Sequence, residues 1–172
     1  MYRMNNITKT LPLLFIIFIL IKPELLKAQN NNKRTQSING TYELIERVMV
    51  DGRVLKSPAI EGLYTLANGR FNLNLFIKNK DSTISSESTI GRYTFSNNQY
   101  CEWIDYTIRN NLDKPGLTYE APAVTNHCTP VTMNNGGFSF SPPGESVEVK
   151  FVSNGFAAKI EGEFVDHWKK IK

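Results

Sequence analysis

Five polar residues fall where the alternation of an extended chain points toward apolar neighbours: Glu46, Arg92, Thr94, Glu102 and Tyr106. A lone charge on a buried face is costly unless it is paired. A Glu46 or Glu102 carboxylate against the Arg92 guanidinium is the simplest pairing, and placement at the mouth of a cavity is the other solution. In a cavity, such groups orient the polar end of a ligand. A carboxyl whose pKa is raised by burial is also the group that acid-base catalysis needs. Binding pockets are mostly apolar with a few placed polar groups, so Tyr64, Phe71, Leu73, Tyr93, Phe95, Trp103 and Tyr106 are the candidate lining around Glu46, Arg92 and Glu102. Taken singly, each aromatic also fits a filled core.

Other chemistries find little material. His127 beside Cys128 suggests a metal ligand pair or a Cys-His nucleophile, but a zinc site needs about four N/S ligands and the chain has two His and two Cys. No metal and no cofactor are therefore expected. His167 alternates with Val165 and Lys169 and reads as a partly exposed strand histidine. No Gly-x-Ser-x-Gly elbow, His-Glu-x-x-His pair or phosphate-cradling glycine loop occurs. Glu161 and Glu163 lie across Gly162 and are expected to face solvent. Asn39-Gly40-Thr41 fits a glycosylation sequon but abuts the first strand.

The elements that must hold these side chains are strands. Tyr42, Leu44, Val48 and Val50 alternate with Thr41, Glu43 and Arg47, and Asp51-Gly52 turns the chain into Arg53-Val54-Leu55. Gly62–Leu66 and Arg70–Lys78 form a hairpin through Asn68-Gly69. Residues 79–88 are Ser/Thr-rich and read as a solvated connection. Thr89–Ser96 and Gln99–Arg109 form the longest hairpin, turning at Asn97-Asn98. Asn110–Pro130 holds Pro115, Pro122 and Pro130 and excludes a regular interior strand or a long helix, so it reads as a functional loop. Five short strands follow, punctuated by Asn134-Asn135-Gly136-Gly137, Pro142-Pro143-Gly144, Ser153-Asn154-Gly155 and Gly162. Short turns between successive strands predict an all-β, antiparallel up-and-down barrel of eight to ten strands, with a two-sheet sandwich as the runner-up.

Residues 1–28 have the form of a signal peptide: Arg3 and Lys9 precede the apolar run Leu11–Ile21, and Leu26-Lys27-Ala28 offers a cleavage site. The run is short of the ~18–20 apolar residues that span a bilayer. No cysteine stands near Ala28 for a lipid anchor, so an exported, periplasmic or secreted protein without a stable membrane anchor is expected. Residues 29–38 read as a disordered lead-in, and 39–172 as one domain. The leader carries +3 of the net +4, which leaves 16 basic and 15 acidic residues. A near-neutral domain gives no electrostatic reason to expect nucleic acid. In an exported chain Cys101 and Cys128 are expected to pair, with a reduced, buried pair as the alternative.

Gly40-Thr41-Tyr42-Glu43-Leu44-Ile45, Asp51-Gly52-Arg53-Val54-Leu55, Gly62-Leu63-Tyr64-Thr65-Leu66 with Asn68-Gly69-Arg70-Phe71, and Gly91-Arg92-Tyr93-Thr94-Phe95 together resemble the small bacterial lipocalin-like domain family. That family opens on Gly-Thr-Trp; here Tyr42 replaces the Trp. The resemblance implies a calyx for a small hydrophobic or amphipathic molecule, a closing strand around Trp168, and Lys169 or Lys170 packed over Tyr42. Two other functions stay open: an interaction protein with a filled barrel working through loop 110–130, and a barrel-pocket enzyme relying on Glu46, Glu102 or His127.

Overall fold

Two-residue turns set the register of the molecule. In the computed structural model, which describes residues 37–78, 83–110, 116–121 and 127–172, Asn68 and Gly69 take φ of 52° and 72° and close the Ala67–Arg70 hairpin. Positive φ at both central residues matches the right-handed twist of the flanking strands. The expected signal segment and the lead-in up to residue 36 lie outside the described residues.

Thirteen strands and no helix are present among the described residues. They are β1 (Gly40–Met49), β2 (Val54–Leu55), β3 (Ile60–Ala67), β4 (Arg70–Lys78), β5 (Ile84–Phe95), β6 (Gln99–Asn110), β7 (Leu117–Glu120), β8 (Cys128–Pro130), β9 (Thr132–Asn134), β10 (Gly137–Phe140), β11 (Val147–Val152), β12 (Gly155–Ile160) and β13 (Phe164–Lys170). The count exceeds the expected eight to ten because the long Pro-containing stretch, read as a loop, yields two short edge strands, β7 and β8. All pairings are antiparallel, and the order β7-β6-β5-β4-β3-β1-β13-β12-β11-β10-β9 brings the first long strand beside the last in one sheet curled into a half-barrel. One strip spans its ends. β8 pairs with β6, β9 pairs with β10, and the Val131 N–H between them donates to the Asn98 carbonyl at 3.1 Å. Cys101 and Cys128 are register partners on β6 and β8 and form a disulfide.

Two bulges displace the side-chain alternation that the sequence suggests. On β1 the pairing with β13 shifts between Leu44 and Glu46, so the extra residue Ile45 rotates the rest of the strand by one position. Arg47 is consequently buried, and Glu46 turns outward to Lys56 at 3.2 Å. Val50, expected on the apolar face, is 73% exposed. On β6 the register against β5 shifts at Ile90/Gly91, which leaves Asp105 as the extra residue. Inward positions run Tyr100, Glu102, Ile104 before that bulge and Thr107, Arg109 after it. β5 also starts earlier than expected, at Ile84, so that Glu87 belongs to a strand and not to a solvated connection.

The core is aromatic and lies at one end. Tyr42, Phe71, Tyr93, Tyr100, Phe138, Phe140, Phe151, Phe156 and Trp168 are buried, and so is Ile38, which belongs to the fold and not to the lead-in. The Tyr42 hydroxyl donates to the Ile38 carbonyl at 2.9 Å, and the Lys170 ammonium lies 5.8 Å from the Tyr42 ring centre. Gly62 has no alternative here, since a Cβ would stand 2.6 Å from the Trp168 ring.

Candidate ligand-binding cavity

The strand directions define two ends. Turns at Asn68-Gly69, Asn97-Asn98 and Ser153-Asn154 lie under the aromatic floor, and the loop 142–145 lies at the opposite, open end. Between them is a cavity of about 480 Å³. Its lower wall is apolar, formed by Tyr64, Phe71, Leu73, Phe151, Phe156 and Trp168. Its upper wall is polar, with Glu87, Arg109, Glu120 and Asp166 facing it and Pro142-Pro143-Gly144-Glu145 at the rim, and Glu102 lines the cavity lower down, level with Tyr93.

Each polar group is positioned by a strand neighbour. Arg109 donates through Nε to Glu87 and through Nη1 to Glu120, both at 2.8 Å, which ties β5, β6 and β7 together at the mouth. These charge-assisted contacts hold the guanidinium pKa above its ordinary value, the Glu87 hydrogen bond contributing most. Arg47 grips Asp166 with two parallel hydrogen bonds at 2.6 and 2.8 Å, while its guanidinium lies 3.6 Å from the Phe164 ring centre. Thr89 and Thr107 share a buried hydroxyl–hydroxyl hydrogen bond at 3.0 Å.

Glu102 is different, because its carboxylate meets no cation among the described residues. The Tyr100 hydroxyl donates to it, and the Tyr64 hydroxyl is hydrogen-bonded to Tyr100 in turn. Burial pushes the Glu102 carboxyl up from 4.5 to about 7; the Tyr100 hydrogen bond opposes the rise and the Glu145 charge adds to it. Tyr64 and Tyr100 are themselves raised, mainly by burial, and stay protonated at neutral pH. The arrangement is a short hydroxyl chain ending on a carboxyl that titrates near neutrality, set against an apolar wall. It can accept a hydrogen bond from a ligand head, pair with a cation, or exchange a proton.

Of the residues expected to line a pocket, Tyr64, Phe71, Leu73 and Glu102 do so. Tyr93 and Phe95 point inward but are absorbed in the floor, where Tyr93 stacks on Tyr100 and Phe95 packs on Phe138. The other four expected lining residues, Glu46, Arg92, Trp103 and Tyr106, lie elsewhere, as does Thr94. Glu46 is rotated out by the β1 bulge, and Arg92 is on the outer face, bound to Asp105 at 3.1 Å. Thr94 is exposed beside it. Trp103 sits outside against the His127 ring, and Tyr106 is 40% exposed because the Asp105 bulge places Thr107 inward instead. Arg109, Glu87, Glu120 and the Arg47–Asp166 pair were not legible, since their inward direction depends on those two bulges and on β7. Among the described residues His127 meets the outer side of β6, its Nδ1 lying 3.1 Å from the Glu102 carbonyl oxygen. Residues 111–115 and 122–126 of the expected functional loop lie outside the described residues.

A second concavity, about 620 Å³, lies on the outer face among Glu43, Glu61, Leu63, Asn74, Phe76 and Ile108. It is more open to solvent than the interior cavity, and much of its polar lining is already paired, Ser57 with Glu61 and Ser88 with Asn74, so the interior cavity is the candidate site. No known protein family, no curated protein and no solved structure matches the chain.

Proposed function

We propose that this protein is an exported, lipocalin-like β-barrel carrier that holds a small amphipathic molecule in its interior. The observation that carries the reading is the cavity of about 480 Å³ between an apolar floor and a polar mouth. That volume lies within the range of roughly 300–1,000 Å³ in which small-molecule pockets fall. It also argues against a filled barrel acting through its surface. Lipocalin-like architecture is supported by the resemblance of residues 40–109 and by Lys170 over Tyr42, the contact that the resemblance implies. Export is supported by the leader-like residues 1–28 and by the Cys101–Cys128 disulfide.

Titration of the purified protein with a neutral apolar fluorescent dye tests this. Saturable one-to-one binding is expected, and Leu73→Trp, which fills the cavity from β4, abolishes it. A folded, disulfide-intact protein that binds no dye overturns the proposal. Glu102 favours a second reading, an acid-base enzyme, because its carboxyl is held at about 7 within the cavity. Turnover of a ligand identified by the binding experiment, lost in Glu102→Gln with binding retained, would select the enzyme over the carrier.

A further inference from the structure

The carrier reading leaves the ligand's head group open, and the present inference rests on that reading. Four of the six charged groups on the cavity wall and rim already have partners. Arg109 is bound to Glu87 and Glu120, and Asp166 is bound to Arg47. Arg109 spends two of its five N–H donors on two carboxylates that offset its charge, and the Arg47 guanidinium is not on the cavity wall. Glu102 and the rim residue Glu145 remain, two carboxylates with no ion-pair contact among the described residues, although Glu145 also acts on Arg109 at longer range. The Tyr100 hydroxyl already donates its one proton to Glu102. A bound carboxylate head beside Glu102 would meet like charge. A cationic head would find Glu102 lacking a counter-ion and Glu145 reinforcing the field from the rim.

We infer that the cavity takes amphiphiles carrying a protonated amine head, with Glu102 as the counter-ion and the apolar tail against Leu73, Leu75 and Phe156. An ammonium donates three hydrogen bonds and replaces the missing positive charge, whereas an alcohol of equal chain length supplies one donor and no charge. The pH dependence has a definite sign. Amines of this type stay protonated to about pH 10, whereas Glu102 must be ionised to pair with them. Between about pH 6 and pH 8 the ionised fraction of a carboxyl near 7 rises about tenfold, so amine binding tightens by about that factor. Other groups facing Glu102 are Tyr64 from β3, Tyr93 from β5, Tyr100 from β6, Glu145 from the 142–145 loop and, on the outer side of the backbone, His127.

The test is displacement of the neutral dye N-phenylnaphthylamine from the purified protein by decylamine, decanol and decanoate. Decylamine is expected to compete about tenfold or more better than decanoate at neutral pH, with decanol between them. In Glu102→Gln the advantage of decylamine over decanol disappears and its pH dependence flattens, while dye and decanol binding persist and certify the fold. His127→Gln keeps both the preference and the pH slope. Decanoate competing as well as decylamine, or an amine preference that survives Glu102→Gln, overturns the inference alone. Failure of the wild-type protein to bind the dye overturns the carrier reading with it.

Discussion

The two ends of the half-barrel use their inward positions in opposite ways. At the floor nearly every inward side chain is a ring: Tyr42 meets Phe156 edge-on at 5.1 Å, Phe156 stacks on Trp168 at 5.4 Å, and Tyr100 stacks on Phe140 at 4.2 Å. The polar tips there are satisfied locally, as the Tyr42 hydroxyl is by Ile38. Toward the mouth the same strands turn inward Glu87, Arg109 and Asp166, and Glu102 stands nearer the floor, level with Tyr93. Such groups cost desolvation that a further ring would not. A fold selected for stability alone would continue the floor upward. Under the proposed carrier function the contrast is a division of labour, in which the floor holds the strands together and the polar groups serve a ligand.

Breaking the floor should have the largest effect. Phe156→Ala removes a ring that touches Tyr42, Tyr64, Phe151 and Trp168, and the cavity left behind cannot collapse among rigid neighbours. A loss of about 3–5 kcal/mol is expected in urea denaturation, independent of pH. Arg47→Met attacks the mouth, leaving Asp166 buried and unpaired at 5% exposure. That loss should also reach about 3 kcal/mol, and the double variant Arg47→Met/Asp166→Leu should recover most of it. A single variant losing under about 1 kcal/mol would mean that the mouth is solvated, and would erase the contrast. Replacing both Cys101 and Cys128 by Ser should cost about 3 kcal/mol, for a closed loop of 27 residues. It should also loosen the 128–134 strip at the β6 edge first, which hydrogen exchange at Val131 and Tyr100 would register.

How much of this could be read from the chain differs between the same two ends. The floor was legible: turns at Asn68-Gly69 and Ser153-Asn154 fix strand ends, and uninterrupted alternation from Phe71 to Ile77 or from Val147 to Phe151 assigns the inward face. The mouth was not. A bulge adds one residue without any signature beyond the local sequence, and each residue beyond it changes face. Ile45 and Asp105 therefore turn Glu46 and Tyr106 outward and Arg47 and Arg109 inward, against the simple alternation. Glu102 precedes the bulge on its strand and was placed correctly for that reason. Glu87 was missed because Ser85-Ser86 and Ser88 around it resemble a connection, although the pairing with β4 and β6 makes a strand of them.

The smallest expected effect separates the polar groups from the rings most sharply, because it has the opposite sign and a pH window. Folding raises the Glu102 carboxyl from 4.5 to about 7, so the folded protein holds that proton more tightly than the unfolded chain. A group of this kind lets the fold keep its full stability at pH below 4.5 and subtracts from it as pH rises through about 7. After allowance for partial exposure, the subtraction at pH 8 is roughly 2 kcal/mol. Glu102→Gln has no charge to desolvate and keeps an acceptor for the Tyr100 hydroxyl. It should therefore be more stable than the wild type by about 1–2 kcal/mol near pH 8 and indistinguishable from it near pH 4.5, whereas Phe156→Ala is destabilised equally at both. Urea midpoints for the three proteins across that range measure the difference directly. A Glu102→Gln curve parallel to the wild type would place the carboxylate in water and make its surroundings an ordinary surface. The predicted divergence, together with weakened amine binding in the same variant, would identify Glu102 as a charge kept at a cost in stability because the ligand requires it.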